Sequence, residues 1–242
     1  MQPETLEKVR RKALKLWEDN SLFCEPIEIK ARTLTVQEAI GDPEGDDFPL
    51  QKGKERLMEA VFRGAKGQAF TDRFGDFTGT LADVASMPLE NNFRRAVFVA
   101  SVNATVRGLG LCDRTIHCRD KEPGECAARF SNYISERFGD ARITQVGFQP
   151  KMVQRLSERF KLKVLDLDPD NIGTVQYNTE ILGPDQKDAA LAWADLLVVT
   201  GSTLANDTVG DFLNDRPVIF YGTTVAGAAA LMGWERFCAK AL

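Results

Sequence analysis

A chain of 242 residues, 43% of them hydrophobic and 27% charged, carries enough apolar material for one large or two small globular domains with a real core. Its net charge is −4 and it has no long basic run, so nucleic acid is not an expected partner. No apolar stretch approaches the roughly 18 residues of a membrane helix, so a membrane partner is not expected either.

The first residues, MQPETLEKVRRKALKLWEDN, are charged and helical in pattern and do not read as a signal peptide. Five cysteines (Cys24, Cys112, Cys118, Cys126, Cys238) make an odd set without framework spacing, which points to a reducing, cytoplasmic setting. Residues 4–19 predict an amphipathic helix with Leu6, Val9, Ala13, Leu16 and Trp17 on one side. Ile27–Val36 alternates like a half-buried strand, and Asp42–Asp47 is an acidic turn whose spacing does not fit a calcium loop. Arg56–Arg63 and Gly67–Thr71 predict a hairpin joined through Gly64–Gly67, the second arm bearing polar Gln68 and Thr71. Thr80–Ser86 reads as a short helix and Asn91–Arg107 as a long one, with Asn103 deep in its apolar pattern. A polar amide there needs partners, either in the core or on a ligand.

After Leu111 the order changes. Strands at Ala141–Val146, Leu162–Leu167, Leu196–Val199 and Val218–Tyr221 alternate with helices at Lys151–Phe160, Gln186–Trp193, Asp207–Leu213 and Ala226–Arg236. This order predicts an α/β fold with a parallel, doubly wound sheet in the second part. The boundary falls near residue 112, giving domains 1–112 and 113–242. The four strands end in Gly147-Phe148-Gln149-Pro150, Asp166–Gly173, Thr200–Thr203 and Tyr221–Thr224. In a doubly wound sheet these ends share one edge, where ligands bind. Asp166 and Asp168 lie about 20 residues past Gly147, where a dinucleotide or methyl-donor site places an acid on a ribose hydroxyl. The first turn has one glycine, which disfavours NAD. Thr200, Ser202, Thr203, Thr223 and Thr224 supply hydroxyls suited to a phosphate, a carboxylate or a polar ring edge. The single histidine makes Ser-His-Asp hydrolysis improbable.

A second cluster, Cys112, His117, Cys118 and Cys126 with Asp120, Glu122 and Glu125 between, has soft and borderline ligands in 15 residues. His117, Cys118 and Cys126 are its candidate metal ligands, and a divalent transition metal is the candidate cofactor. Its spacing matches no familiar finger or ribbon, and buried structural cysteines are common.

The stretches GAKGQAFTD, NNFRRAVFVASVNA, TIHCRDKEPGECA, GFQP, DLDPDNIG, TGSTLANDT and YGTTVAGAAAL occur in this order. Together they resemble the putative heavy-metal chelatase family, from about residue 20 to the end. The resemblance implies a small α+β, enolase N-terminal-like domain followed by a Rossmann-like domain, with a site where the two meet. At matching positions it implies Gln68, Thr71 and Asn103 from the first domain. From the second it implies Asp168, Asn171, Gly201, Ser202, Thr203, Asn206, Gly222, Thr223 and Thr224. It also implies condensation or hydrolysis of flavin-, pterin- or siderophore-like molecules, or the handling of heavy metals.

Two readings follow. One is an enzyme acting on a small polar ligand between the domains, with Asp168 as the candidate catalytic base. The other is a cytoplasmic protein that binds a metal or metal chelate without catalysis. An S-adenosylmethionine-dependent methyltransferase is a further alternative, weakened by the Phe148-Gln149-Pro150 turn in place of a glycine-rich one and by only four clear strands. A homo-oligomer is compatible with the sequence, and no residue argues for it.

Overall fold

The computed structural model describes residues 4–30, 56–118 and 122–240. The outer part of the strand expected over Ile27–Val36, the acidic turn at Asp42–Asp47, and Asp120 lie outside them. Helix α1 spans Glu4–Asp19 and buries Leu6, Val9, Ala13 and Trp17, the apolar side read from the sequence. Strands β1 (Pro26–Lys30), β2 (Arg56–Phe62), β3 (Ala65–Thr71) and β4 (Phe77–Thr80) form an antiparallel sheet in the order β3-β2-β1-β4.

The hairpin between β2 and β3 turns on Arg63 and Gly64, both with positive φ (49° and 81°), not on the longer loop expected. This is the twist a two-residue hairpin demands. Gly67 therefore belongs to β3, opposite Ala60. It must be glycine, because a Cβ there would lie 2.1 Å from the backbone nitrogen of Ala104.

Thr80 caps helix α2 (Leu81–Ser86) in a capping box with Asp83. Helix α3 (Asn92–Gly108) is capped by Asn91 and buried without a break from Ala96 to Val106. A helix apolar on all sides must be covered on all sides. It packs against β2 and β3 on one side and against the last helix of the chain on the other. Trp17 Nε1 donates to Thr105 Oγ1 at 2.9 Å, so α1 and α3 are joined in the same core.

Helix α4 (Glu122–Phe138) was not expected from the sequence. Its buried Pro123, Ala127, Phe130, Ser131 and Ile134 follow helical spacing through the Cys and Glu residues that first draw the eye. Then come β5 (Arg142–Val146), α5 (Pro150–Ser157), β6 (Lys161–Leu165), the hairpin β7 (Val175–Gln176) and β8 (Thr179–Leu182), α6 (Lys187–Trp193), β9 (Leu196–Thr200), the single turn α7 (Ser202–Ala205), β10 (Val218–Tyr221), α8 (Ala226–Met232) and β11 (Arg236–Phe237). The helix expected at Asp207–Leu213 is one 3-10 turn, Val209–Phe212. The last helix stops at Met232, where Gly233 takes the left-handed conformation.

The second sheet has seven strands, not four, in the order β11-β10-β9-β5-β6-β8-β7, and only β7 runs antiparallel to its neighbour. One face (Ile143, Leu196, Val198, Ile219) packs on α4 and α5. The other (Val146, Leu197, Val199, Phe220) shares one continuous core with Trp17, Ile27, Phe62 and Phe98. This two-sided burial explains the unbroken apolar run of β9. Among the described residues no helix is long and apolar enough to cross a membrane.

Candidate functional site

The strand order reverses at β5, which has β6 on one side and β9 on the other. Ligands of open α/β sheets bind beyond the carboxyl ends of strands at such a switch point. Here the facing turns are Gly147–Pro150 and Thr200–Thr203, with Gly222–Thr224 one strand further on.

The first turn is closed by the protein itself. Gly147 has φ 88°, and a Cβ there would lie 2.7 Å from Thr200 Cγ2 and 3.0 Å from the Tyr221 hydroxyl. Its carbonyl accepts from Tyr221 OH at 2.8 Å and from Gln145 Nε2 at 2.9 Å. The N–H of Phe148 donates to Asp166 Oδ2 at 2.6 Å, and that of Asp168 donates to Asp166 Oδ1 at 2.7 Å. Asn171 Nδ2 lies 3.3 Å from the same oxygen. Asp166, expected on a ribose hydroxyl, is a latch between two strand-end turns. Asp168 Oδ1 accepts from the N–H of Asp170 at 3.0 Å, and Asp168 and Asn171 are both half-buried.

The other turns are built differently. Thr203 Oγ1 donates to Thr200 O at 2.7 Å, closing the β9 turn from within, and Thr200 Oγ1 meets Ser202 Oγ at 3.2 Å. Ser202 is half-buried. Gly201 is required by contact, since a Cβ would lie 2.7 Å from the nitrogen of Val225. Gly222 has φ 90° with open space where a side chain would stand. Its carbonyl accepts from Arg236 Nε at 2.8 Å. Thr223 Oγ1 and Gln145 Oε1 are buried and make no hydrogen bond among the described residues.

The first sheet meets this edge through β3. The N–H of Phe70 donates to Thr224 Oγ1 at 3.0 Å. Asn103 Nδ2 donates to the carbonyls of Gln68 (2.8 Å), Thr224 (2.9 Å) and Thr223 (3.2 Å). The geometry thus decides between core and ligand for this amide, and Asn103 is a core tie. Gln68 is likewise committed, donating to Glu59 Oε2 at 2.8 Å and accepting the N–H of His117 at 2.7 Å. Thr71 Oγ1 closes its own turn on Arg73. All three are buried, and it is Asn103 that bridges from the first sheet to the turn after β10. Asn206 lies past the far end of α7, accepting from Asn92 Nδ2 at 3.3 Å.

The thiol cluster assembles in part. The His117 ring stands edge-on to Phe70, 5.2 Å between centroids. The Cys126 sulfur lies against the backbone N–H groups of Ala239 and Lys240, and Cys238 and Cys118 are close enough to interact with it electrostatically. Burial pushes the Cys118 and Cys126 thiols above the ordinary cysteine range. Yet among the described residues no three His, Cys, Asp or Glu side chains are placed to hold a metal ion. The metal site expected at His117, Cys118 and Cys126 is therefore not formed as a three-ligand set.

Sequence reasoning missed Tyr221, Gln145 and Arg236 in the construction of this edge. Gln145 could have been found as a polar residue inside the strand RITQV. Arg236 gave no signal, because the chain there continued a helical pattern.

The DUF364 family, described as putative heavy-metal chelation, matches residues 132–233, from within α4 to the end of α8. A DUF364 protein of unknown function from Pyrococcus horikoshii is similar in structure, with TM-score 0.56 and 15% identity over 91% of this chain and 79% of that one. Another, from Desulfitobacterium hafniense DCB-2, has TM-score 0.50 and 14% identity over 73% and 72% of the two chains. No curated protein sequence matches. Residues 132–233 thus match the DUF364 family model, and the fold resembles that of two DUF364 proteins of unknown function.

Proposed function

We propose that this protein binds a small polar molecule, pterin-, flavin- or siderophore-like, at the edge formed by the β5, β9 and β10 turns and β3. A heavy metal reaches it as a complex of that molecule. The observation that carries the reading is the switch point. There and one strand further on, Gly201 and Gly222 bring bare backbone to the edge beside half-buried Ser202 and the buried hydroxyl of Thr223, which has no partner among the described residues. The family's description as putative heavy-metal chelation supports the metal half.

In the catalytic form of this reading, Asp168 at the rim takes a proton during condensation or hydrolysis, and Asn171 and Ser202 orient the ligand. The enolase N-terminal-like unit (1–112) and the Rossmann-like unit (113–242) then supply the two sides of one site. The protein acts in the cytoplasm, alone or as a homo-oligomer, without nucleic acid.

Thermal unfolding of metal-free protein tests this. Nickel, cobalt, iron(II), zinc, pterins, flavins, catecholates and S-adenosylmethionine are added singly and, for the organic compounds, with metal. A ligand at 100 times its Kd stabilises by about 2.7 kcal/mol. Stabilisation by an organic compound, lost in Ser202→Ala or Asp168→Ala, is the expected result. Stabilisation by metal alone, lost in Cys118→Ser, replaces the reading with direct metal binding.

A further inference from the structure

We infer that the ligand of this edge carries an anionic group, a carboxylate or a phosphate monoester, and that this group docks between the β9 and β10 turns, not at the turn after β5. The inference rests on the proposed reading of the edge as a ligand site and names the chemical class that site takes.

Two strand-end turns are built on a left-handed glycine, Gly147 after β5 and Gly222 after β10. Such turns aim backbone N–H groups into a shared concavity that favours negative charge. At Gly147 the concavity already holds an anion, the carboxylate of Asp166, on the N–H of Phe148. Thr200 and Tyr221 fill the space beside it. A pyrophosphate placed there would displace a carboxylate that also ties down Asp168. Dinucleotides are excluded from this turn by the protein's own charge.

The Gly222 turn has the opposite construction. The carbonyls of Thr223 and Thr224 are both drawn onto Asn103 Nδ2. In a trans peptide the N–H points opposite to the carbonyl. The N–H groups of Thr224 and Val225 are therefore turned away from Asn103. Neither donates to a protein acceptor among the described residues. A Cβ on Gly201 would lie 2.7 Å from the nitrogen of Val225, so this nitrogen stands where the β9 and β10 turns meet. Thr223 is 1% exposed, and its hydroxyl has no partner among the described residues. Buried donors left unpaired are rare and costly, and an acceptor brought by the ligand satisfies all three.

Charge agrees with this assignment. The Arg236 guanidinium is held on Gly222 O, 2.8 Å away, and places a cation beside the turn. Asp166 is anchored three strands away across β5 and β9, at a spacing of about 4.8 Å per strand. Gly222 has open space in front of it, so the anion has a way in.

The test titrates the full-length protein with inorganic phosphate and with acetate, against chloride at equal ionic strength, by calorimetry and thermal unfolding. It is repeated on Thr223→Val and Ser202→Ala, and with each organic compound that binds beside its neutral amide or methyl ester. The expected result is saturable binding of phosphate or acetate that weakens at least tenfold in Thr223→Val. In anion-free buffer that variant should melt no lower than wild type, because a buried hydroxyl without a partner has been removed. A preference of at least tenfold for acid over neutral isostere is expected among the organic ligands. Unchanged anion affinity in Thr223→Val overturns the inference. Organic compounds that bind equally well as acids and as neutral isosteres, with no response to phosphate or acetate, overturn it while the proposed site stands. No binding of anions or organic compounds removes both.

Discussion

Asn103 Oδ1 accepts the N–H of Gly227 at 2.7 Å while its Nδ2 reaches three carbonyls, so one amide joins α3, β3 and the start of α8. Gly227 must stand close, since a Cβ there would lie 3.0 Å from that oxygen. Replacement by alanine leaves one donor and three acceptors buried without the amide. Asn103→Ala is expected to lower stability by about 2–4 kcal/mol in urea unfolding. It also frees the peptides of Thr223 and Thr224 to turn, so ligand affinity at the edge falls in the protein that remains folded. A loss below about 1 kcal/mol would mean that the joint is held elsewhere.

Gly67 and Gly124 make opposite predictions for the same substitution. At Gly67 a Cβ meets the backbone of Ala100, Asn103 and Ala104 at 2.1–2.6 Å, and backbone cannot step aside. Gly67→Ala is expected to cost about 3 kcal/mol or more, or to prevent folding. At Gly124, in α4, no described residue stands within 4 Å. Gly124→Ala should gain about 0.5–1 kcal/mol from helix propensity. Equal effects in circular-dichroism melts of the two variants would refute the packing of α3 on β3.

The cysteines should separate by reactivity. Cys24 is exposed. Burial pushes the Cys112 thiol up to about 11 and raises Cys118 and Cys126 as well. With a pKa near 11, roughly one thiol in a thousand is thiolate at pH 8. An aromatic disulfide reagent at pH 8 should therefore label Cys24 at least tenfold faster than Cys112, Cys118 or Cys126 in native protein. Unfolding in guanidinium should release all five. Rapid native labelling of Cys112, Cys118 and Cys126 would show that burial does not hold these thiols back.

Much of this architecture is visible in the sequence where periodicity is strong. The apolar side of α1, the β2–β3 hairpin and the strands β5, β6, β9 and β10 follow from alternation or unbroken apolar runs. The edge of the sheet was legible for the same reason, since small and polar residues follow each run. Three things were hidden. The β7–β8 hairpin is short, and its turn uses Tyr177 and Asn178 at positive φ in place of a glycine pair. Helix α4 lay beneath residues that suggested metal chemistry. Which polar side chains face outward could not be read at all, because Gln68, Asn103 and Asp166 satisfy backbone groups brought together only by the fold.

Asp207 offers a pH test of the contact between α7 and the first helices. It adopts φ 58°, a left-handed conformation in which asparagine is also at ease. Burial pushes its carboxyl above the ordinary range, Arg95 opposes that, and Glu7 and Asp211 add to it. The folded state therefore holds this proton more tightly than the unfolded chain does. Stability falls as pH rises from the unfolded carboxyl value, about 3.9, through the higher folded value, and the penalty is complete above it. Asparagine carries no such penalty at any pH. Asp207→Asn is expected to raise the melting temperature at pH 7 by a few degrees and to give no gain at pH 3. The measurement is a pair of thermal melts at the two pH values. A lower melting temperature at pH 7 would show instead that attraction to Arg95 outweighs the cost of burying the charge, and that the charged carboxylate is part of what holds α7 in place.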